Sequence, residues 1–204
     1  LPAACRADIC CAVIGVLPVL VNTKFSACAA GAMAADTAKA ARHLFFFITD
    51  APKVAGWLSN GLLDANQPWG GIQDAKTWPT DKDILVKPKV MTNIGLTYDA
   101  LKLLLPDKDR ELQKFSPAFQ QGAYQRGRDN GDSELSKQAW LFGNPSQPIH
   151  VALSLHVFNS PDIEGPSKAL IAAAKNAGLT LVYSHSTAAL PGDKVYFDYR
   201  DGIA

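Results

Sequence analysis

Two strand–helix–strand units follow one another in this chain, and they restrict its fold more than any other feature of the sequence. Short apolar segments rich in Leu, Ile, Val and Phe recur, each with the length of one buried strand. These predicted strands span residues 43–49, 90–96, 149–158 and 179–184. Segments with helical spacing lie between the first and second strands and between the third and fourth.

The helical segments begin with residues that cap helices. A short polar side chain can accept a hydrogen bond from the free N–H groups of the first turn, and proline is tolerated there. Asp50, Thr97 and Ser116 occupy such positions. The predicted helices span residues 51–62, 98–105, 117–124 and 166–177, with Gly61 and Gly178 at two of their ends.

This order of elements is typical of an α+β domain. We expect a ferredoxin-like architecture, in which four antiparallel strands form one sheet that is backed by helices. Residues 41–204 would make up this domain, with a long Pro- and Gly-containing loop over residues 64–89 and a further strand at residues 195–199. Residues 1–40 would form a separate N-terminal segment.

The N-terminal segment allows two interpretations. Residues 9–21 are apolar and precede a stretch of small residues, as in a secretory signal with a cleavage site around Cys28. Asp8 and Pro18 do not fit such a signal, and residues 12–20 also have the composition of a short strand. We favour the strand, followed by an Ala-rich loop, and leave both a cytoplasmic and a secreted location open.

Several classes of function lack their usual sequence signals. The 20 Lys and Arg residues balance 19 Asp and Glu, which leaves a net charge of +1 and no basic patch for a nucleic acid. No apolar run reaches the ~18–20 residues of a membrane span. Neither a Gly-x-Ser-x-Gly elbow nor a Gly-rich phosphate loop is present. The 4 cysteines match neither a zinc motif nor a disulfide framework.

The 4 histidines do not have the spacing of a metal site. His150 and His156 are an even number of residues apart on one predicted strand, so they would share a sheet face at a separation of about 20 Å. We interpret both as structural side chains. His43 belongs to the first predicted strand, and His185 is predicted to lie in a turn without an assigned role.

The last residues place a carboxylate after the predicted final strand. Apolar side chains alternate over residues 195–199, and Arg200-Asp201-Gly202 follows as a turn in which Gly202 permits a sharp change of direction. A carboxylate at such a position can transfer protons. On these residues alone, a solvent-exposed turn is the commoner interpretation.

Short motifs also follow one another in a distinctive order. They are Asn93–Tyr98, Phe115–Gly122, Gly131-Asp132, Trp140, Pro148–Val151 and Tyr199–Ile203. This series resembles the N-terminal half of the dye-decolourising (DyP-type) haem peroxidases. In that family a strand and a Leu-rich helix precede a Phe-rich helix, a Gly-Asp turn, a Trp, a His-bearing strand and a Gly-x-x-Asp-Gly signature. The resemblance covers roughly residues 40–204.

The resemblance implies a haem-dependent peroxidase that reduces hydrogen peroxide and oxidises dyes or other organic substrates. The cofactor would be haem b. Asp201 corresponds to the signature Asp, the distal acid–base residue that moves a proton between the two peroxide oxygens. Gly202 and Ile203 would contact the haem beside it. Arg200 occupies a variable position of the signature and receives no catalytic role.

Two features depart from the family pattern. Asp198 stands where most members have Gly. The family's proximal His and distal Arg lie in its C-terminal half, and none of the 4 histidines here matches the proximal position. We therefore expect the iron ligand to lie outside this chain, which would be the first of two ferredoxin-like domains and inactive alone.

A function of another class is the alternative. A non-catalytic α+β binding or assembly module without haem would have the same pattern of elements, because a fold does not determine a function. The sequence is compatible with either a monomer or a homo-oligomer.

Overall fold

Four antiparallel strands form one sheet at the centre of the protein. A computed structural model of the chain describes residues 40–72, 89–129 and 131–190. The strands are β1 (Ala40–Ile48), β2 (Val90–Leu96), β3 (Val151–Val157) and β4 (Leu179–Ala188), in the spatial order β2-β3-β1-β4. All neighbouring strands are antiparallel. The predicted ferredoxin-like α+β sheet is therefore confirmed.

Helices connect the strands. They are α1 (Ala51–Gly56), α2 (Tyr98–Leu104), α3 (Asp109–Leu112), α4 (Pro117–Gln125), α5 (Glu134–Gln138) and α6 (Glu164–Asn176). The helix predicted over residues 51–62 changes to a π-helical turn at Trp57 and ends at Gly61, as its glycine indicated. The two shortest helices, α3 and α5, were not predicted, because they are too short to show a hydrophobic period.

The predicted N-caps are present. Thr97 Oγ1 accepts a hydrogen bond from the Ala100 N–H at 3.2 Å. The side chains of Asp50 and Ser116 accept equivalent bonds at 3.2 Å and 3.4 Å. Each bond satisfies one of the N–H groups that a first helical turn leaves without a partner.

The core lies between the helices and one face of the sheet. Leu44, Phe46 and Ile48 of β1 are at most 5% exposed because their side chains point toward the helices. Other members of this core are Leu101 and Leu104 of α2, Val151, Leu153 and Leu155 of β3, and Leu170 and Ala174 of α6. Full burial of one such large side chain stabilises the fold by about 1.5–3 kcal/mol.

A glycine turn between α6 and β4 is hydrogen-bonded to the residue after β1. Gly178 has a φ of +89°, a conformation that side chains with a Cβ rarely adopt. A Cβ there would lie 2.6 Å from the Cβ of Asp50. The Gly178 carbonyl also accepts hydrogen bonds from Thr49 N and Thr49 Oγ1 at 2.8 Å and 2.7 Å. This turn therefore fixes where β4 enters the sheet.

Two strands are longer than predicted. β1 begins at Ala40, which pairs with Val157 and is buried, so pairing with β3 outweighs the low strand propensity of alanine. β4 continues to Ala188, and the prediction of a turn at His185 is wrong. The reason is that β4 is an edge strand with most of its second half exposed, so its register with β1 does not require alternating apolar residues.

Other predictions concern residues outside the described ranges. They are the N-terminal segment with its signal-like and strand interpretations, most of the loop over residues 64–89, and the strand at residues 195–199. Of the helices that the structure does describe, none is both long and apolar enough to cross a lipid bilayer.

Replacement of Thr97 by alanine is expected to lower the free energy of unfolding by about 1–2 kcal/mol, because the α2 cap is lost. The Thr97 hydroxyl also lies 3.2 Å from the Ile149 carbonyl, to which it donates. The loss can be measured as the shift of the urea midpoint of the chain at unchanged slope. Thr97→Ser retains the hydroxyl and serves as the control. An equal loss in both variants would show that the hydroxyl is not the stabilising group.

Candidate functional site

The residues that the sequence assigns to catalysis and haem contact are Asp201, Gly202 and Ile203, and they lie outside the described residues. The same holds for Asp198 and for the strand predicted at residues 195–199. Their roles stay predictions. The described residues contain a second region with chemistry of its own, which is built from the histidines.

All 4 histidines of the chain lie on the sheet face opposite to the core. His43 precedes the buried Leu44, so its side chain points away from the helices. Strand pairing and ring contacts place the other three on the same side. We call this surface the histidine face; it consists of His43, His150, His156 and His185 with the aromatic residues Phe45, Phe47, Phe142 and Tyr183.

Three of the histidines meet on neighbouring strands. The ring centroids of His43 on β1 and His156 on β3 are 6.0 Å apart, in an edge-to-face arrangement. His185 on β4 lies directly opposite His43 in the strand register. His43 Nδ1 shares a hydrogen bond of 2.9 Å with Ser154 Oγ, which orients the His43 ring. The central strands thus hold imidazoles side by side.

His150 connects β1 and β3 at the opposite end of this strand pair from His156. It is only 7% exposed, and its Nδ1 accepts a hydrogen bond of 3.1 Å from the Ile48 N–H. Its own N–H donates to the Phe46 carbonyl at 2.8 Å, and its carbonyl accepts from the Thr97 N–H at 3.0 Å. Its ring stacks on Phe47 with centroids 4.5 Å apart. His150 therefore links β1, β3 and the start of α2.

Burial favours the neutral form of three of these imidazoles. It lowers the pKa of His43, His150 and His156 below the ordinary value of 6.5. A neighbouring histidine lowers it further in two cases: His185 acts on the pKa of His43, and His43 acts on that of His156. At His150, the carboxylate of Asp99 opposes the effect of burial and raises the pKa.

Aromatic rings cover the middle of the histidine face. Phe142, from the loop after α5, stacks on Phe45 and on Tyr183 with centroid distances of 4.7 Å and 4.6 Å. Tyr183 is stacked in turn with His185 at 6.4 Å. Stacked rings and neutral imidazoles can bind a partner by ring contacts and hydrogen bonds. Because the pKa of His43, His150 and His156 is lowered, the neutral form of these three rings is favoured at neutral pH.

Sequence reasoning did not find this cluster. It placed His150 and His156 on one face, which agrees with the ring contacts, but it did not place His43 beside His156 or opposite His185. Spacing within one segment contains no information about the register between strands. The available signal was the position of the residues in the strand. Because successive side chains of a strand point to opposite faces, Phe45 and Phe47 share a face with His43.

The histidine face does not form a metal site in the part of the chain that the structure describes. Over residues 40–72, 89–129 and 131–190, no three His, Cys, Asp or Glu side chains are placed to hold one metal ion. The ion pair of Arg42 and Glu164, at 2.6 Å, lies on the helix side of the sheet.

Comparison with known proteins supports the fold. No family model and no curated protein sequence matches the chain. A dye-decolorizing peroxidase in complex with 2,6-dimethoxyphenol is similar with a TM-score of 0.57 and 19% identity, over 77% of this chain and 32% of that one. A fungal DyP-type peroxidase from Auricularia auricula-judae gives a TM-score of 0.58 and 16% identity, over 78% and 32%.

A third similar structure is a dye-decolorizing peroxidase whose heme pocket was engineered for asymmetric sulfoxidation, with a TM-score of 0.56 and 15% identity over 78% of this chain and 32% of that one. At these identities the likeness concerns the fold alone. The chain spans about a third of the length of the structures that it matches. The resemblance to DyP-type peroxidases is thus confirmed at the level of the fold.

Proposed function

We propose that the natural protein containing this chain is a haem-dependent peroxidase that reduces hydrogen peroxide and oxidises dyes or other organic substrates. The observation that carries the proposal is the fold, a four-stranded antiparallel sheet backed by helices, whose similarity to DyP-type peroxidases covers 77–78% of this chain. The motif series from Asn93 to Ile203 supports it independently, because it follows the order of that family.

Residues 41–204 would be the first of two ferredoxin-like domains in that protein. One fact supports this division: the chain spans only about a third of the length of the similar peroxidases. In the resemblance on which the proposal rests, the proximal His belongs to the C-terminal half, so the ligand of the haem iron would come from residues outside this chain.

Asp201 would be the acid–base residue of the reaction. Cleavage of the peroxide O–O bond requires that a proton leave one oxygen and arrive at the other. A carboxylate beside the peroxide can accept the first proton and return it to the departing oxygen, without net consumption of protons by the side chain. Haem, when bound, supplies the electrons for this reduction. Gly202 and Ile203 would contact the haem next to the carboxylate.

Haem binding by the natural gene product is the first test. We expect a Soret band that shifts during titration with haem b and reaches its limit at one haem per chain, because an axial protein ligand alters the haem spectrum. The loaded protein should then oxidise a dye when hydrogen peroxide is added. The control is the same titration of the 204-residue chain, which we expect to leave the spectrum of free haem unchanged.

The alternative function predicts a different result. A non-catalytic binding or assembly module would leave the Soret band of haem unshifted even as the natural gene product, and peroxide would not drive dye oxidation. Such a result would contradict the peroxidase proposal, while the shared fold would still stand.

A further inference from the structure

We propose that the β1–β3 strand pair is an acid-sensitive seam, in which protonation of His150 and of the His43–His156 pair opens the centre of the sheet. β1 and β3 are the two inner strands, so their pairing joins β2 to β4. Three of the 4 histidines of the chain lie along this one strand pair. The proposal concerns this domain alone and does not depend on haem or peroxidase activity.

The geometry at His150 allows only a neutral ring. Its Nδ1 accepts the Ile48 N–H at 3.1 Å, and a proton on Nδ1 would turn the acceptor into a second donor. Protonation therefore requires the ring to leave this position. The Ile48 N–H would then lose its partner in a buried region, which is costly. Because Thr97 N donates to the His150 carbonyl, the start of α2 would be disturbed as well.

The other end of the seam opposes the accumulation of charge. His43 and His156 are diagonal neighbours on β1 and β3 with ring centroids 6.0 Å apart, and His185 lies opposite His43 on β4. On the β2 side, His156 is paired with Met91, which carries no charge. Two imidazolium ions at this distance repel each other, and half-burial strengthens the repulsion relative to water.

The charges that act on these groups are few among the described residues. His43 and His156 act on each other, His185 acts on His43, and Asp99 acts on His150. Asp99 is the one carboxylate in this set, and it favours the protonated ring. Its effect is smaller than that of burial, so the pKa of His150 still lies below its ordinary value.

The direction of the pH effect follows from linkage. A histidine whose pKa is lowered in the folded state stabilises the closed seam fully above the pKa of the open state, 6.5. This contribution is lost as the pH falls from that value through the pKa of the closed state. The equilibrium constant for opening should therefore rise by up to about tenfold per histidine for each pH unit in this window.

Hydrogen exchange of the natural gene product, read by mass spectrometry of peptides, tests the seam. Protection factors, corrected for intrinsic exchange, are compared at about pH 7.5 and about pH 5.5, on either side of the histidine range. We expect the peptides of β1 and β3 to lose protection at least about tenfold more than the peptide of α6. Unchanged protection, or an equal loss in α6, would contradict a local seam.

Two variants identify the residues responsible. His150→Asn can still offer an oxygen to the Ile48 N–H but does not titrate, so protection at high pH should be kept and its loss on acidification reduced. His185→Asn is the matched comparison, because it removes an exposed histidine of β4 that acts on His43 alone, so it should reduce the pH dependence less than His150→Asn does. The proposal is wrong if His185→Asn reduces the pH dependence as much as His150→Asn does.

A third variant covers the case in which His150→Asn does not fold. His156→Asn leaves the Ile48 hydrogen bond in place and removes only the charge that faces His43. It should reduce the acid-dependent loss of protection in β1 and β3. An unchanged pH dependence in His156→Asn would exclude a contribution from the His43–His156 pair.

Discussion

Replacement of Phe46 by alanine is expected to lower the free energy of unfolding of the chain by about 3–5 kcal/mol. Phe46 is 1% exposed and lies in β1, between Val151 of β3 and Leu181 of β4. Its ring fills the space between the sheet and the helices. Removal of the ring costs its transfer from water and leaves a cavity that the packed neighbours close only in part. Urea unfolding followed by circular dichroism measures the loss.

The neighbouring Phe45→Ala is the matched control. Phe45 belongs to the same strand but lies on the histidine face, half-buried and stacked on Phe142 at 4.7 Å. Its loss should cost about 1–2 kcal/mol, because the site is open to water and can relax. If Phe46→Ala leaves too little folded protein to measure, Phe46→Leu provides a smaller cavity. A loss from Phe45→Ala equal to that from Phe46→Ala would contradict the assignment of the core to the helix side.

The inner strands and the capped helices could be predicted because their signals are local. The run from His43 to Ile48 is apolar on both faces, as is typical of a central strand, and it lies within β1. Thr97 shows both the side chain of a cap and the start of a Leu-rich segment, and α2 begins at the next residue. In these cases local propensity, burial and tertiary structure agree, which is what makes a segment predictable from its own residues.

The features that could not be predicted depend on pairing between distant segments. His185 lies in a polar Ser-His-Ser-Thr segment, whose composition is typical of a turn. This segment nevertheless forms the end of the edge strand β4, because its backbone pairs with β1 and this pairing does not depend on the side chains. The kink in α4 at Gly122, where φ is +73°, was not predicted from the sequence either. The histidine face combines β1, β3, β4 and a loop, so its existence follows from register alone.

The proposed role of Asp201 rests on the order of the motifs and not on its local sequence. On its neighbouring residues alone, Asp201 is a carboxylate in a predicted turn. Fold similarity does not test that assignment, since unrelated functions share this fold. The assignment therefore depends on a direct measurement at Asp201.

Asp201→Asn in the natural gene product is expected to lower peroxide-dependent turnover by about 10²–10⁴-fold, which is the usual contribution of a general acid–base residue. The change corresponds to about 3–5 kcal/mol in the activation free energy. Asparagine has nearly the same shape but cannot accept the peroxide proton. The initial rate of dye oxidation at saturating hydrogen peroxide measures the effect, and the Soret band shows whether haem is still bound.

Asp198→Asn is the informative control, since it removes a carboxylate three positions earlier at the site where the family usually has Gly. If Asp201 moves the proton, Asp198→Asn should leave turnover close to that of the unmodified protein. A large loss in Asp198→Asn with little change in Asp201→Asn would instead transfer the role to Asp198. A loss of the Soret band in Asp201→Asn would indicate that Asp201 is needed for haem binding, and the reduced turnover would then not support proton transfer. Only a loss of turnover with haem retained supports an acid–base role, because that combination separates the chemical step from the assembly of the site.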